Sequence, residues 1–215
     1  IAGDGTAGVA TVTLTSGTAS VSRSVTFTGA AASFAVTSLT STYGVATYGS
    51  EKTYASTDAD GIKVVGLDSA GGAAASGSFY AVSSNIAVAT VPTAAQSINS
   101  AGNLISVTGV SVGTATITIQ NAATAAASTV SKTIEVEVST GTAATLAMAL
   151  DKADYQPGEP GVLSITLTNA AGRPVADGTY TIFATGLASN LFMQNNASGS
   201  NDTFTAGATS VTTQG

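Results

Sequence analysis

The chain of 215 residues has no cysteine, no histidine and no tryptophan, only four prolines, and only 8% charged residues. Without Cys there is neither a disulfide framework nor a thiolate metal site, and the redox compartment leaves no mark on the sequence. Without His the chain lacks the commonest general base, the commonest transition-metal ligand and the usual switch near neutral pH. The absence of His weighs against an enzyme. Six Lys and Arg against twelve Asp and Glu give a formal charge of −6, with a pI near 4.2. Six scattered cations do not neutralise a phosphate backbone, so no nucleic-acid partner is expected. Nor is there a run of the roughly 18 to 20 apolar residues that a transmembrane helix needs, because Thr, Ser, Gly and Asn interrupt every one.

What is present is a small-residue polymer with 44% hydrophobic residues and a mean hydropathy of +0.35, carried by Ala and Val among Thr, Ser and Gly. That suffices for a sizeable core and for one to three modules. A chain poor in Lys, Trp and Cys looks like a product made in bulk and exported. The sequence opens on "IAGDGTAGVATVTL" without an initiator Met or basic leader and stops in mid-pattern on "VTTQG". It reads as a piece of a longer protein whose targeting signals lie elsewhere.

Alternation of apolar residues with Thr or Ser marks half-buried strands. It is clear in "VATVTLT" (Val9 to Thr15), "SVTFT" (Ser24 to Thr28), "LISVTGVSVGTATITI" (Leu104 to Ile119), "SKTIEVEV" (Ser131 to Val138), "VLSITLT" (Val162 to Thr168) and "GTYTIFAT" (Gly178 to Thr185). Gly, Asn, Asp or Pro bound these runs, as strand ends require. No segment forms a persuasive amphipathic helix. "GAAASFAV" and "NAATAAAST" have the Ala content for a brief helical turn, but their Gly, Ser and Thr favour loop.

Self-similarity is the more informative signal. "GVATVTLTSGTASVSRSVTFT" (Gly8 to Thr28) shares a layout with "GTATITIQNAATAAASTVSKTIEVEV" (Gly113 to Val138): Gly8 matches Gly113 and Ser22-Arg23 matches Ser131-Lys132, at offsets of 105 and 109 residues. A second echo sets "GIKVVGLDSAGGAAASGSF" (Gly61 to Phe79) against "GVLSITLTNAAGRPVADGTY" (Gly161 to Tyr180), with Asp68 on Asn169 and Gly71 on Gly172. Each copy is a strand followed by an Asx turn, in which Asx supplies a local hydrogen bond and Gly the positive φ. One register of about 100 to 109 residues explains both echoes and is the size of an immunoglobulin-like sandwich. The expected fold is therefore all-β, a tandem array of such sandwiches. Residues 1–31 would be the last strands of one module, 32–140 a complete module, and 141–215 most of a third.

The middle module resembles the bacterial immunoglobulin-like domains, group 2 in particular, through "YAVSSNIAVATV" (Tyr80 to Val91) followed by "VTGVSVGTATITI" (Val107 to Ile119). "DKADYQPGEPGVLSITLTNAAGRPVADGTYTI" (Asp151 to Ile182) looks like the opening strands of related domains. The resemblance implies tandem extracellular modules of surface-layer proteins, adhesins and wall proteins, sometimes of phage virions, and no catalytic residues. A fold by itself assigns no function.

The acidic residues are the remaining chemical resource. Asp58 and Asp60 stand two apart beside Gly61 in "STDADGIK", a spacing that can put two carboxylates on one Ca²⁺ in a turn, although the other ligands of a calcium loop are missing. Asp151, Asp154 and Glu159 in "DKADYQPGEP" form a second candidate near a module junction, offset by Lys152. The plain alternative for each is a solvated turn between strands. A pair of glycosidase carboxylates would need aromatic sugar platforms, and aromatics are only 6% of the chain. Asn196 and Asn201 stand in the sequons "NAS" and "NDT", candidate glycosylation acceptors. Tyr43, Tyr48 and Tyr54 form either an exposed aromatic strip or ordinary strand residues.

The function expected is structural: a segment of a self-assembling surface layer or similar coat whose partners are copies of itself, anchored to envelope glycan or lipopolysaccharide by parts outside this segment. Low charge lets neighbouring copies approach without strong repulsion. The alternatives are the stalk of an adhesin or wall-binding protein, or a virion decoration protein.

Overall fold

The computed structural model describes residues 3, 6–156, 160–177, 179–181, 192–193, 203–205 and 210–214. Glu159, Asn196 and Asn201 lie outside them. Among the described residues regular structure is strand throughout, apart from one turn of 3₁₀ helix at Ala125–Ala127. The fold is all-β, as the alternation requires.

Two compact units are present, Ile1–Thr40 with Thr47–Val110 and Thr114–Val136, and Ser41–Ala46 with Ser111–Gly113 and Glu137–Gly215. In the first, β1 (Gly8–Ser16) and β2 (Ala19–Phe27) make a two-stranded hairpin. Its turn is two residues long, with positive φ only at Gly17, where 62° is open to glycine at no steric cost. Then follow β3 (Ser33–Ser38), β4 (Thr47–Tyr48), β5 (Lys52–Thr53), β6 (Ile62–Leu67), β7 (Ser78–Ser83), β8 (Ala89–Thr90), β9 (Gln96–Ser97), β10 (Asn103–Ile105), β11 (Val107–Gly109), β12 (Gly113–Gln120) and β13 (Ser131–Val138). They form three further sheets, ordered β3-β6-β10-β5, β13-β12-β7-β9 and β4-β11-β8.

The first two of these sheets pack face to face. Period two puts Ile62 and Val64 of β6, Phe79 and Ala81 of β7, and Ala115, Ile117 and Ile119 of β12 inside. Phe34 of β3 meets Phe79 of β7 edge to face, with ring centroids 6.1 Å apart, which bridges the two sheets. Between β10 and β11 the chain changes sheets at Ser106: Ile105 pairs with Ile62, and Val107 with Tyr48. Gly61 makes this crossing tight, since at φ 89° a Cβ there would stand 2.8 Å from the Ile105 carbonyl oxygen. The edge strand β13 carries Lys132, Glu135 and Glu137, charges that deter pairing with a stray strand.

In the second unit β14 (Thr145–Leu150) pairs antiparallel with β15 (Pro160–Thr168). Beyond β15 stands β19 (Ser210–Gln214) and then β17 (Phe192–Met193), while β16 (Thr179–Thr181) pairs with β18 (Thr203–Thr205). Ser41–Ala46 lies between β3 and β4 in sequence but belongs to this unit. The Tyr43 N–H donates to the Glu137 carbonyl at 2.8 Å, and the Ser139 N–H to the Tyr43 carbonyl at 2.8 Å. The Asp177 carboxylate accepts the Ser41 and Thr42 N–H groups at 2.7 and 3.2 Å.

Candidate functional site

The best-built polar feature of each unit is the turn that follows its long strand. After β6, the Asp68 carboxylate accepts the N–H groups of Ala70 and Gly72, both at 3.0 Å. After β15, the Asn169 side-chain oxygen accepts those of Ala171 and Arg173 at 2.9 and 3.1 Å. The backbone repeats as closely. The Asp68 N–H donates to the Gly72 carbonyl and the Asn169 N–H to the Arg173 carbonyl, both at 2.8 Å, while Gly71 and Gly172 take φ of 82° and 74°. The Asx and Gly of the sequence echo are therefore the same turn built twice.

Each turn also grips the chain arriving from upstream. The second carboxylate oxygen of Asp68 accepts the Gly29 N–H at 3.1 Å, and the Asn169 amide donates to the Ser139 hydroxyl at 2.8 Å. Main-chain bonds double the grip: Ala75 N–H to the Gly29 carbonyl at 2.9 Å, and Ala176 N–H to the Thr140 carbonyl at 3.1 Å. Asp68 is 4% exposed, and its carboxyl is held below the usual range, chiefly by the Gly29 N–H and then by those of Gly72 and Ala70. The sequence pointed to the turns but not to the grip. Gly29 and Ser139 carry no motif, and only their places close to the expected module boundaries at 31 and 140 hinted at it.

Asp58 is paired with Lys52, whose Nζ lies 2.8 Å away, and accepts the Ala55 N–H at 2.6 Å. Lys52, then Ala55, lower its pKa. Asp60 is exposed. Asp151 accepts the Tyr155 hydroxyl at 2.5 Å and the Val162 N–H at 2.7 Å, the Tyr155 contact being the larger cause of its lowered pKa. It thus fastens the β14–β15 connection. Asp154 is exposed. Among the described residues no three Asp or Glu side chains gather as a metal cluster would require.

The three tyrosines do not make a strip. Tyr43 is fully buried, Tyr48 is half-buried on β4, and Tyr54 is half-buried with Lys63 Nζ 4.0 Å above its ring. An open groove of about 270 Å³ lies at the hairpin tip, lined by Leu14, Thr15, Ser16, Ala19, Ser20 and Val21.

No protein-family model and no curated protein sequence matches the chain. Solved structures do. It is similar to domains 4–9 of the surface layer protein SbsC, with 20% identity and a TM-score of 0.38, covering 97% of this chain and 30% of that one. Domains 5–6 of the S-layer protein SbsC match over 86% of this chain and 84% of that one, at 19% identity and a TM-score of 0.37. The Escherichia coli adhesin FdeC matches at 15% identity and a TM-score of 0.38, over 90% of this chain and 60% of that one.

Proposed function

We propose that the chain is a structural segment of an extracellular coat, a surface layer or comparable assembly, in which the modules themselves are the working parts. The observation that supports this reading is the gripping turn, built once on Asp68 and again on Asn169 with the same bonds inside the turn and a side-chain grip on the upstream chain in each. Such a repeat fastens the incoming chain within each unit, as units strung along one polypeptide require. A catalytic site has no need of a second copy.

The strand faces fit a coat. On the hairpin one face is a ladder of Thr11, Thr13, Thr15, Ser20, Ser22, Ser24 and Thr26, and the Thr13 and Ser22 hydroxyls lie 2.7 Å apart. Hydroxyl ladders wet a surface without charging it, so copies can approach closely. SbsC is described as a surface layer protein and FdeC as an adhesin; the coat reading takes the first role and the stalk reading the second.

Electron microscopy of the purified protein, with and without added Ca²⁺, separates the two. Ordered two-dimensional arrays are expected of a coat subunit. A protein that stays monomeric under all cation conditions is a stalk, and the coat reading then fails.

A further inference from the structure

The β1–β2 hairpin has a second face. Residues paired across the hairpin share a side, which puts Ala10, Val12 and Leu14 of β1 with Val21, Val25 and Phe27 of β2. On this side, where Arg23 also stands opposite Val12, Leu14 is 69% and Val21 48% exposed, while Val12, Val25 and Phe27 are half-buried. The outer edge of β1 has no strand beside it among the described residues. It carries no charge, unlike the edge strand β13 with Lys132, Glu135 and Glu137. An uncharged edge beside an apolar face left open at Leu14 and Val21 is the arrangement that proteins otherwise avoid.

The same chain shows what such a hairpin looks like when covered. Gly8 and Gly113, which open β1 and β12, have φ of 154° and 152°. With these glycines superposed in sequence, Ala10, Val12 and Leu14 fall on Ala115, Ile117 and Ile119, which are 2%, 0% and 0% exposed. Ser22-Arg23 on Ser131-Lys132 likewise places Val25 and Phe27 on Ile134 and Val136, the inward side of β13. In that copy β12 pairs antiparallel with β7, Ile117 opposite Ser83 and Ile119 opposite Ala81.

We propose that β1–β2 is the closing half of another sandwich of this plan. Its occupant is a sheet built like residues 33–105, supplied by the same polypeptide upstream of the hairpin. A strand of the β7 pattern lies antiparallel along Val12–Thr15, and a sheet of the β3-β6-β10 kind covers Val12, Leu14, Val21, Val25 and Phe27. Arg23, paired with Val12, takes the place of the exposed Lys132, so that its long stem packs while its charge reaches solvent. This inference holds whether the assembled protein is a coat or a stalk.

The test replaces residues 1–7 with a second copy of residues 29–112, which places a β7-type strand and its sheet directly ahead of Gly8. Amide hydrogen exchange is then compared with the original 215-residue chain. Val12–Thr15 should gain protection of about 100-fold or more, and Leu14→Asp should abolish the gain while Ile117 and Ile119 stay protected. Unchanged exchange at Val12–Thr15 overturns the proposal, whether or not the added segment folds, because completing that sheet is what the hairpin is proposed to do. Sedimentation of the original chain guards against the other occupant. Any association it shows should be indifferent to Leu14→Asp, and a dimer that Leu14→Asp abolishes would give the face to a second copy and overturn the proposal too.

Discussion

Asp68 and Asn169 hold equivalent turns and differ in one side-chain atom, which matches what the neighbouring chain offers. At Asp68 the partner is a donor, the Gly29 N–H, and a carboxylate oxygen meets it. At Asn169 the partner is the Ser139 hydroxyl, and the amide donates to it. Exchanging the two residue types is therefore not symmetric. In Asp68→Asn the turn keeps an acceptor for Ala70 and Gly72, but an amide nitrogen now faces the Gly29 N–H, two donors without an acceptor between them. The thermal midpoint should fall by a few degrees, with hydrogen exchange at Gly29 accelerated. In Asn169→Asp the Ser139 hydroxyl can turn its hydrogen to the carboxylate, so the midpoint should barely move. Equal losses in the two variants would refute this account of the choice.

At the scale of elements, two hairpins of one plan sit in different surroundings, and substitution should report the difference. Ile119→Ala empties space in a packed interior and should cost about 2–5 kcal/mol. Leu14→Ala, at the matching position of β1, removes a side chain that is mostly in water and should cost well under about 1 kcal/mol. Urea midpoints of the two variants measure the contrast, and a large loss at Leu14 would mean that its face is already covered. Strands such as β1, β12 and β13 were legible in the sequence because six or more residues show period two, and burying one face requires that period. β4, β5, β8 and β9 were not, since two residues have no period and are held as strands only by their partners. β14 was missed for another reason. "TLAMAL" is rich in good helix formers, and its pairing with β15 overrides that local preference. "SFAVTS" in β3, part of a segment expected to be loop, is likewise strand because β6 pairs with it along six positions. In "NAATAAAST" the brief helical turn does occur, at Ala125–Ala127. Of the candidate site, the Asx and Gly residues could be read off; the partners Gly29, Ser139 and Asp177 could not, because a grip on a distant backbone leaves no periodicity behind.

For the whole molecule, the absence of histidine and the placement of its carboxylates together set the response to pH. No side chain of the ordinary kind titrates between about pH 5 and 8 when His and Cys are both missing. Below that range three carboxyls matter, all held below the usual 3.8: Asp58 by Lys52 and the Ala55 N–H, Asp68 by the N–H of Gly29, and Asp151 by the Tyr155 hydroxyl and the Val162 N–H. Each binds a proton less readily folded than unfolded. The stability they contribute is therefore fully present above the unfolded value and is lost as pH falls through the lower folded values. Protonating the twelve Asp and Glu also leaves the six Lys and Arg unopposed, so repulsion grows over the same interval. Urea midpoints should accordingly agree at pH 8 and pH 5 and then drop between about pH 4 and pH 2. The drop should be shallower in Asp68→Asn, which starts less stable but has one fewer lowered carboxyl to protonate. A decline already under way between pH 8 and pH 5 would contradict this, for no side chain in the sequence ordinarily titrates there.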